Sequence, residues 1–361
     1  MTKLHELAQL GQSVWYDYIR RGELVSGEFQ RLIEMGVLGV TSNPTIFERA
    51  IAHSDDYDDA MRRLVAEGCT VQETYEALAL EDIGRAADML RPVYDQTEGQ
   101  DGYVSLEVDP HLAHDTRRTI SEARRLFHTL GRPNVLIKVP ATPAGIPAIE
   151  TLIGEGININ ITLIFSLQQY EAVVGAYLAG LEKLAAENGD LSRVASVASF
   201  FVSRVDTAVD KLLEARGNTD LLGKTAIANS KVVYARFKEL FDGERWERLA
   251  ARGARVQRPL WASTSTKNPN YPDTLYVDNL IGPHTVNTMP PQTLEATLDH
   301  GRVALTIEVG LDEARAQLAA LAEVGIDLDE VTQQLQDDGV AAFAKSFDSL
   351  MEAIAQKREQ L

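Results

Sequence analysis

The sequence predicts an α/β fold, a (β/α)8 TIM barrel with a helical insertion after strand 2 and extra C-terminal helices. Two observations lead there. Eight runs rich in Val, Ile and aromatics recur along the 361 residues, and helical patterns separate them. Eight parallel strands in a chain of this length suit a closed barrel, with a doubly wound open sheet as the rival. The expected strands span residues 14–18, 39–43, 103–108, 135–141, 159–166, 194–201, 259–264 and 275–281.

The helical signals fall between these runs. Residues 44–102 are too many for one helix, and Thr70 with Glu73 forms a capping box inside them. A helix beginning near Asp115 is expected to close at Gly131, and Pro147 suits the first turn of a short helix. Ser166 and Gln169 make a second capping box, opening a helix that Gly189 is expected to end. Beyond Gly282 the chain is helical, with candidates at 293–299, 310–322 and 338–357. Residues 1–361 therefore read as one barrel domain, with 44–102 inserted into it and 293–361 packed on it.

Composition excludes several classes. Lys and Arg number 35 against 53 Asp and Glu, a net charge of −18, which disfavours nucleic acid or an anionic membrane as partner. No run of eighteen apolar residues occurs, and Met1–Glu6 lacks the apolar core of a signal peptide. A cytoplasmic protein is expected. The single cysteine, Cys69, can make no internal disulfide. The acid is localised: residues 55–101 carry a net −9, residues 295–361 another −9, and the remainder sums to zero. Both blocks lie outside the expected strands, so the acid is expected to cluster away from the barrel mouth.

Barrel chemistry is built where strands end. Lys138, in Val135-Leu136-Ile137-Lys138-Val139-Pro140, alternates within an apolar strand. Desolvation disfavours its ammonium, and a neutral amine in such a site can attack a carbonyl to form a Schiff base. A strand-end lysine paired with a carboxylate is the bland alternative. Glu107, mid-strand among apolar neighbours, would be a costly unpaired charge. His111 and His114 lack further ligands for a metal site, and no Gly-rich phosphate or dinucleotide string occurs. Asp109 reads as a cap beside Pro110. Asp278 and Asn279 end the expected eighth strand, and the polar stretch 282–288, including His284, reads as a loop without an assigned role.

The strings Ile137–Thr142, Gly39–Phe47, Gly156–Ser166 and Ser199–Arg204 together resemble the longer bacterial branch of the transaldolases. The resemblance covers nearly the whole chain and is strongest from Trp15 to Ser265. It implies a Schiff-base barrel that uses no cofactor and no metal. Its reaction would move a dihydroxyacetone unit from sedoheptulose 7-phosphate to glyceraldehyde 3-phosphate, giving erythrose 4-phosphate and fructose 6-phosphate in the pentose phosphate pathway. It also implies the residue roles. Lys138 is the nucleophile and Asp17 the acid–base group, while Glu107 and Thr162 hold the water of Schiff-base formation and hydrolysis. Asn43 bonds a donor hydroxyl, Ser199 touches the dihydroxyacetone unit, and Phe201 stands where related aldolases carry Tyr. Arg204 and Ser263 receive the phosphate.

One departure falls at that phosphate site. Many transaldolases continue from the serine with Ser-Phe-Arg, whereas this chain reads Ser263-Thr264-Ser265-Thr266-Lys267. Ser265 replaces the second arginine, and Lys267 is expected to supply the charge. The alternatives are a Schiff-base fructose 6-phosphate aldolase, separated by whether aldehyde release needs an aldose phosphate acceptor, and a non-catalytic sugar-phosphate-binding barrel, which would bind without turnover. The expected partners are sugar phosphates, not nucleic acid or membrane. A homodimer is compatible with the sequence, which leaves the oligomeric state open.

Overall fold

A computed structural model describes residues 1–361. Eight strands close into a barrel in sequence order. They are β1 (Gln12–Tyr16), β2 (Gly39–Val40), β3 (Tyr103–Glu107), β4 (Val135–Pro140), β5 (Ile159–Ile164), β6 (Ser196–Phe201), β7 (Arg258–Ala262) and β8 (Thr285–Met289). Every pairing is parallel, and β1 closes on β8 from Gln12↔Thr285 to Tyr16↔Met289. All residues of these strands are buried, as expected of a sheet covered by helices outside and filled by side chains within.

Seven expected strands overlap observed ones; the eighth does not. Residues 275–281 are apolar enough to read as a strand, yet Leu275–Asn279 is a short helix. The true β8 is Thr-Val-Asn-Thr-Met, within the stretch read as loop. Its polar residues are tolerated in the interior because each finds a partner. Thr285 donates to the Gly282 carbonyl and accepts from Gln12, and Asn287 accepts from Thr264. Pattern-based reading has no access to those partners.

Between β2 and β3 the chain forms three helices, Pro44–Ala52, Asp58–Ala66 and Val71–Gln96. The Thr70 capping box is present, as are the Ser166 box and the left-handed Gly131 cap. The helix opened by Ser166 ends at Ala186, before Gly189. After β8 come Pro291–His300, Leu311–Glu323 and the 33-residue helix Leu328–Gln360. No helix is long and apolar enough to cross a membrane.

Two devices shape the barrel ends. At the N-terminal end, buried Asp101 accepts from Ser13 at 2.7 Å, Trp15 Nε1 at 3.1 Å and Arg258 at 3.0 Å, so the floor is a satisfied ionic plug. Gly39 is required beside it, since a Cβ there would lie 2.7 Å from the Trp15 ring. At the C-terminal end the register of β5 shifts between Ile161 and Ile164, where Leu163 adopts φ +60°. Such bulges turn side chains and gather near active sites. The final helix seats on this bulge: buried Gln336 donates to the carbonyls of Ala141 (3.0 Å) and Leu163 (2.9 Å).

Candidate active site

A cavity of about 510 Å³ opens at the C-terminal end of the barrel, within the usual range for small-molecule sites. Asp17, Asn43, Lys138, Thr162, Ser199, Phe201, Arg204, Ser263 and Lys267 all line it. These residues come from six strand ends, and only closure of the barrel brings them together.

Lys138 lies at the bottom, 5% exposed. Its Nζ donates to the Ser42 carbonyl at 3.2 Å and stands 3.6 Å from Glu107 Oε2. The register pairs Glu107 with Lys138 across β3 and β4, and Lys138 with Asn160 across β5. Burial raises the proton affinity of Glu107, although Lys138 pulls it down. Glu107 Oε2 and Thr162 Oγ1 are buried with no hydrogen-bond partner within the chain. Two unsatisfied polar atoms beside an amine suit a bound water, because buried polar groups otherwise cost too much.

Asp17 follows β1. It accepts from Thr41 Oγ1 at 2.7 Å, and Thr41 in turn is hydrogen-bonded to Thr288 of the unforeseen β8. Burial holds the Asp17 carboxyl above its ordinary value, against the Thr41 hydrogen bond and the charges of Lys138, Lys267 and Arg204. A carboxyl so placed can carry a proton during catalysis. Asn43 caps the helix Pro44–Ala52, its Oδ1 accepting from Ile46 N at 3.0 Å. The turn reading and the site reading are therefore both satisfied, since the amide Nδ2 makes no bond within the chain. Ser199 donates to Asn160 at 2.7 Å, and Asn160 donates to Ser105, which fixes the polar wall below the cavity.

The cationic side of the cavity is Arg204 and Lys267. Arg204 opens the helix Ser203–Ala215, and its guanidinium stacks 5.0 Å from Phe201 and 5.9 Å from Phe343. Desolvation lowers its pKa. Ser263, held at φ +56°, hydrogen-bonds Ser203 through their hydroxyls at 3.0 Å, so the end of β7 is stitched to that helix start. Lys267 sits at the rim and donates to Ser265 at 2.7 Å. Desolvation lowers its proton affinity, as do the like charges of Arg204 and Arg49.

Family comparison now adds to this geometry. Residues 14–354 match the family described as transaldolase/fructose-6-phosphate aldolase. The chain belongs to that family. The transaldolase of Thermobifida fusca is 51% identical, over 99% of this chain and 98% of its own length. Transaldolase 1 of Streptomyces avermitilis is 51% identical over 98% of this chain and 95% of its own. Transaldolase 2 of Nostoc sp. is 47% identical over 99% and 98%. A transaldolase/fructose-6-phosphate aldolase barrel is thus what presents the constellation above.

Several lining residues escaped the sequence reading. Phe343 reaches the cavity from the final helix, and no strand-end signal points to it. Thr288 belongs to the misread strand. Arg49 was legible in principle: counting from the Asn43 cap, Thr45, Ile46 and Arg49 share one helix face. Asp278 and Asn279 are not in the cavity wall; Asp278 accepts from Thr274 and from Arg302 N. His284 precedes β8 and lines a separate cleft with Gly99 and Arg258. His111 bridges Asp109 and Asp348, and Asp109 caps the turn Pro110–Leu112.

The expected placement of acid fails for one block. Asp17 is the only carboxylate lining the cavity, but Glu330 and Asp338 of the final helix line an adjoining groove with Arg204 and Lys267. The helix crosses the mouth because Gln336 and Gly339 dock on the β5 bulge. A Cβ at Gly339 would lie 2.8 Å from Leu163 Cδ2. Part of the C-terminal acid is therefore carried next to the phosphate-side cations.

Proposed function

We propose that the chain is a transaldolase acting on sugar phosphates, with Lys138 as the Schiff-base nucleophile. The observation that carries this reading is a buried amine at the bottom of a polar cavity, with Asp17 on one side and Glu107 on the other. Burial raises the proton affinity of both carboxyls.

The neutral Lys138 amine adds to the C2 carbonyl of sedoheptulose 7-phosphate, forming a C–N bond. The hydroxyl of the resulting carbinolamine leaves as water, protonated through the water that Glu107 and Thr162 hold. Asp17 takes the C4 hydroxyl proton, the C3–C4 bond breaks, and its electrons flow into the iminium to give an enamine. Erythrose 4-phosphate departs. The enamine carbon attacks the aldehyde of glyceraldehyde 3-phosphate, and Asp17 returns its proton to the new alkoxide. Water then hydrolyses the Schiff base, releasing fructose 6-phosphate and restoring Lys138.

In this reading Asn43 and Ser199 hold hydroxyls of the dihydroxyacetone unit, and Phe201 packs beside them. Arg204, Ser263 and Lys267 take the phosphate, aided by the start of the helix Ser203–Ala215. The setting is the pentose phosphate pathway in the cytoplasm. Borohydride reduction in the presence of fructose 6-phosphate, followed by peptide mass mapping, should place a reduced dihydroxyacetone adduct on Lys138. An adduct elsewhere, or none, sinks the mechanism.

A further inference from the structure

Arg49 lines the cavity from the second turn of the helix Pro44–Ala52, opposite the strand ends that carry Arg204 and Lys267. Most cavity cations have an intramolecular partner. Lys138 meets Glu107 and the Ser42 carbonyl, Lys267 meets Ser265, and Arg204 stacks between two phenyl rings. Arg49 has no ion pair and no side-chain hydrogen bond within the chain, although nearby Arg20 and Arg21 are paired with Asp56 and Asp82. An exposed guanidinium without a partner, aimed into a cavity, is available for a ligand.

Charge balance says which ligand. Four cations line the cavity against Asp17 alone, and Asp17 is engaged by Thr41. Arg49 and Arg204 each depress the proton affinity of Lys267, so the three cations repel one another across a short gap. A dianion relieves that repulsion. Geometry adds a reason for arginine in particular. Lys267 offers a point charge, and the Arg204 guanidinium is flattened between Phe201 and Phe343. Neither supplies a free two-pronged fork, and Arg49 does. Its helix is also held firmly: Ala50 and Ile51 are buried, and Thr45 donates to Ser346 of the final helix at 2.9 Å.

We propose that Arg49 is a binding residue for the phosphomonoester of donor and acceptor sugars, closing a three-cation clamp with Arg204 and Lys267. This assignment rests on the sugar-phosphate reading of the cavity. The fork that the β7 loop lacks, with Ser265 and Lys267 in place of an arginine, is supplied from the helix after β2.

The test compares the wild-type enzyme with Arg49→Ala and Arg49→Lys, substitutions at an exposed helical site. Inorganic phosphate is titrated calorimetrically, and KM is measured for fructose 6-phosphate. Arg49→Ala should weaken inorganic phosphate binding and raise that KM by roughly 10- to 100-fold, with kcat much less affected. Arg49→Lys should recover only part of the loss. Borohydride trapping of unphosphorylated dihydroxyacetone on Lys138 should be unchanged in both variants. Phosphate affinity in Arg49→Ala within about twofold of wild type overturns the assignment. So does an equal loss of dihydroxyacetone trapping. If the wild-type enzyme traps no dihydroxyacetone, the Schiff-base reading fails, while the phosphate titration still decides Arg49.

Discussion

Asp17 joins burial with the requirement that its carboxylate be ionised when it takes a proton. Its folded-state pKa lies above the ordinary 3.8 because burial outweighs Thr41 and the neighbouring cations. Between the ordinary and the raised value the folded protein binds more protons than the unfolded one, so this residue's contribution to stability falls as pH rises through that window. Asp17→Asn removes the buried charge. The variant should be more stable than wild type at pH 7 and should match it below the ordinary carboxylate range. Its turnover should drop by about 10²- to 10⁴-fold, while the borohydride adduct with fructose 6-phosphate still forms on Lys138. Thermal unfolding across pH together with steady-state rates reads this directly. A variant less stable at pH 7, or one that turns over normally, contradicts it. The acid limb of wild-type kcat against pH should likewise lie above the usual aspartate range.

Among the elements, the helix Leu328–Gln360 does more than cover the barrel. It brings Phe343 into the cavity, docks Gly339 on Leu163, and ties its end to the helices after β2 through Lys357 and Asp58 at 2.7 Å. Gln336 is its anchor, 2% exposed and donating to two strand-end carbonyls. Gln336→Leu leaves both carbonyls buried and unpaired, which should cost about 2–4 kcal/mol in urea unfolding. A loss near zero would mean that the helix is held by its apolar face alone. The arm after β7 is fastened in a comparable way. Asp206 and Asp210, one turn apart on the helix Ser203–Ala215, accept from Tyr276 (2.9 Å) and Tyr271 (2.7 Å). Burial pushes Asp206 up to about 7. The segment carrying Lys267 is therefore held at its far side by the helix that begins at Arg204.

For the whole molecule, a net charge of −18 coexists with a site for anions. The cavity wall is locally positive, yet Glu330 and Asp338 share a groove with Arg204 and Lys267. Those two acids should oppose phosphate binding through space. Glu330→Gln combined with Asp338→Asn should lower KM for fructose 6-phosphate by about two- to fivefold at ~10 mM salt, where the screening length is ~30 Å. The difference should vanish near 1 M salt. A salt-independent change in KM would point instead to altered packing of the final helix.

Local pattern was enough for seven of the eight strands, for the caps at Thr70, Asp115 and Ser166, and, through family resemblance, for nine of the cavity residues. Alternation, capping and strand-end position are properties of short segments, so they survive without knowledge of the partners. The eighth strand, Phe343 and the groove acids depend on contacts between distant segments. Thr285 and Asn287 make a buried strand only because Gln12, Gly282 and Thr264 satisfy them. Phe343 and Asp338 come near the phosphate side only because a bulge in β5 gives the final helix its seat. Arg49 lies between these cases: its helix face was readable, but its position opposite Lys267 required the closed barrel. Residue types along the chain sufficed for the chemistry, while long-range hydrogen bonding and packing decided which charges face the substrate.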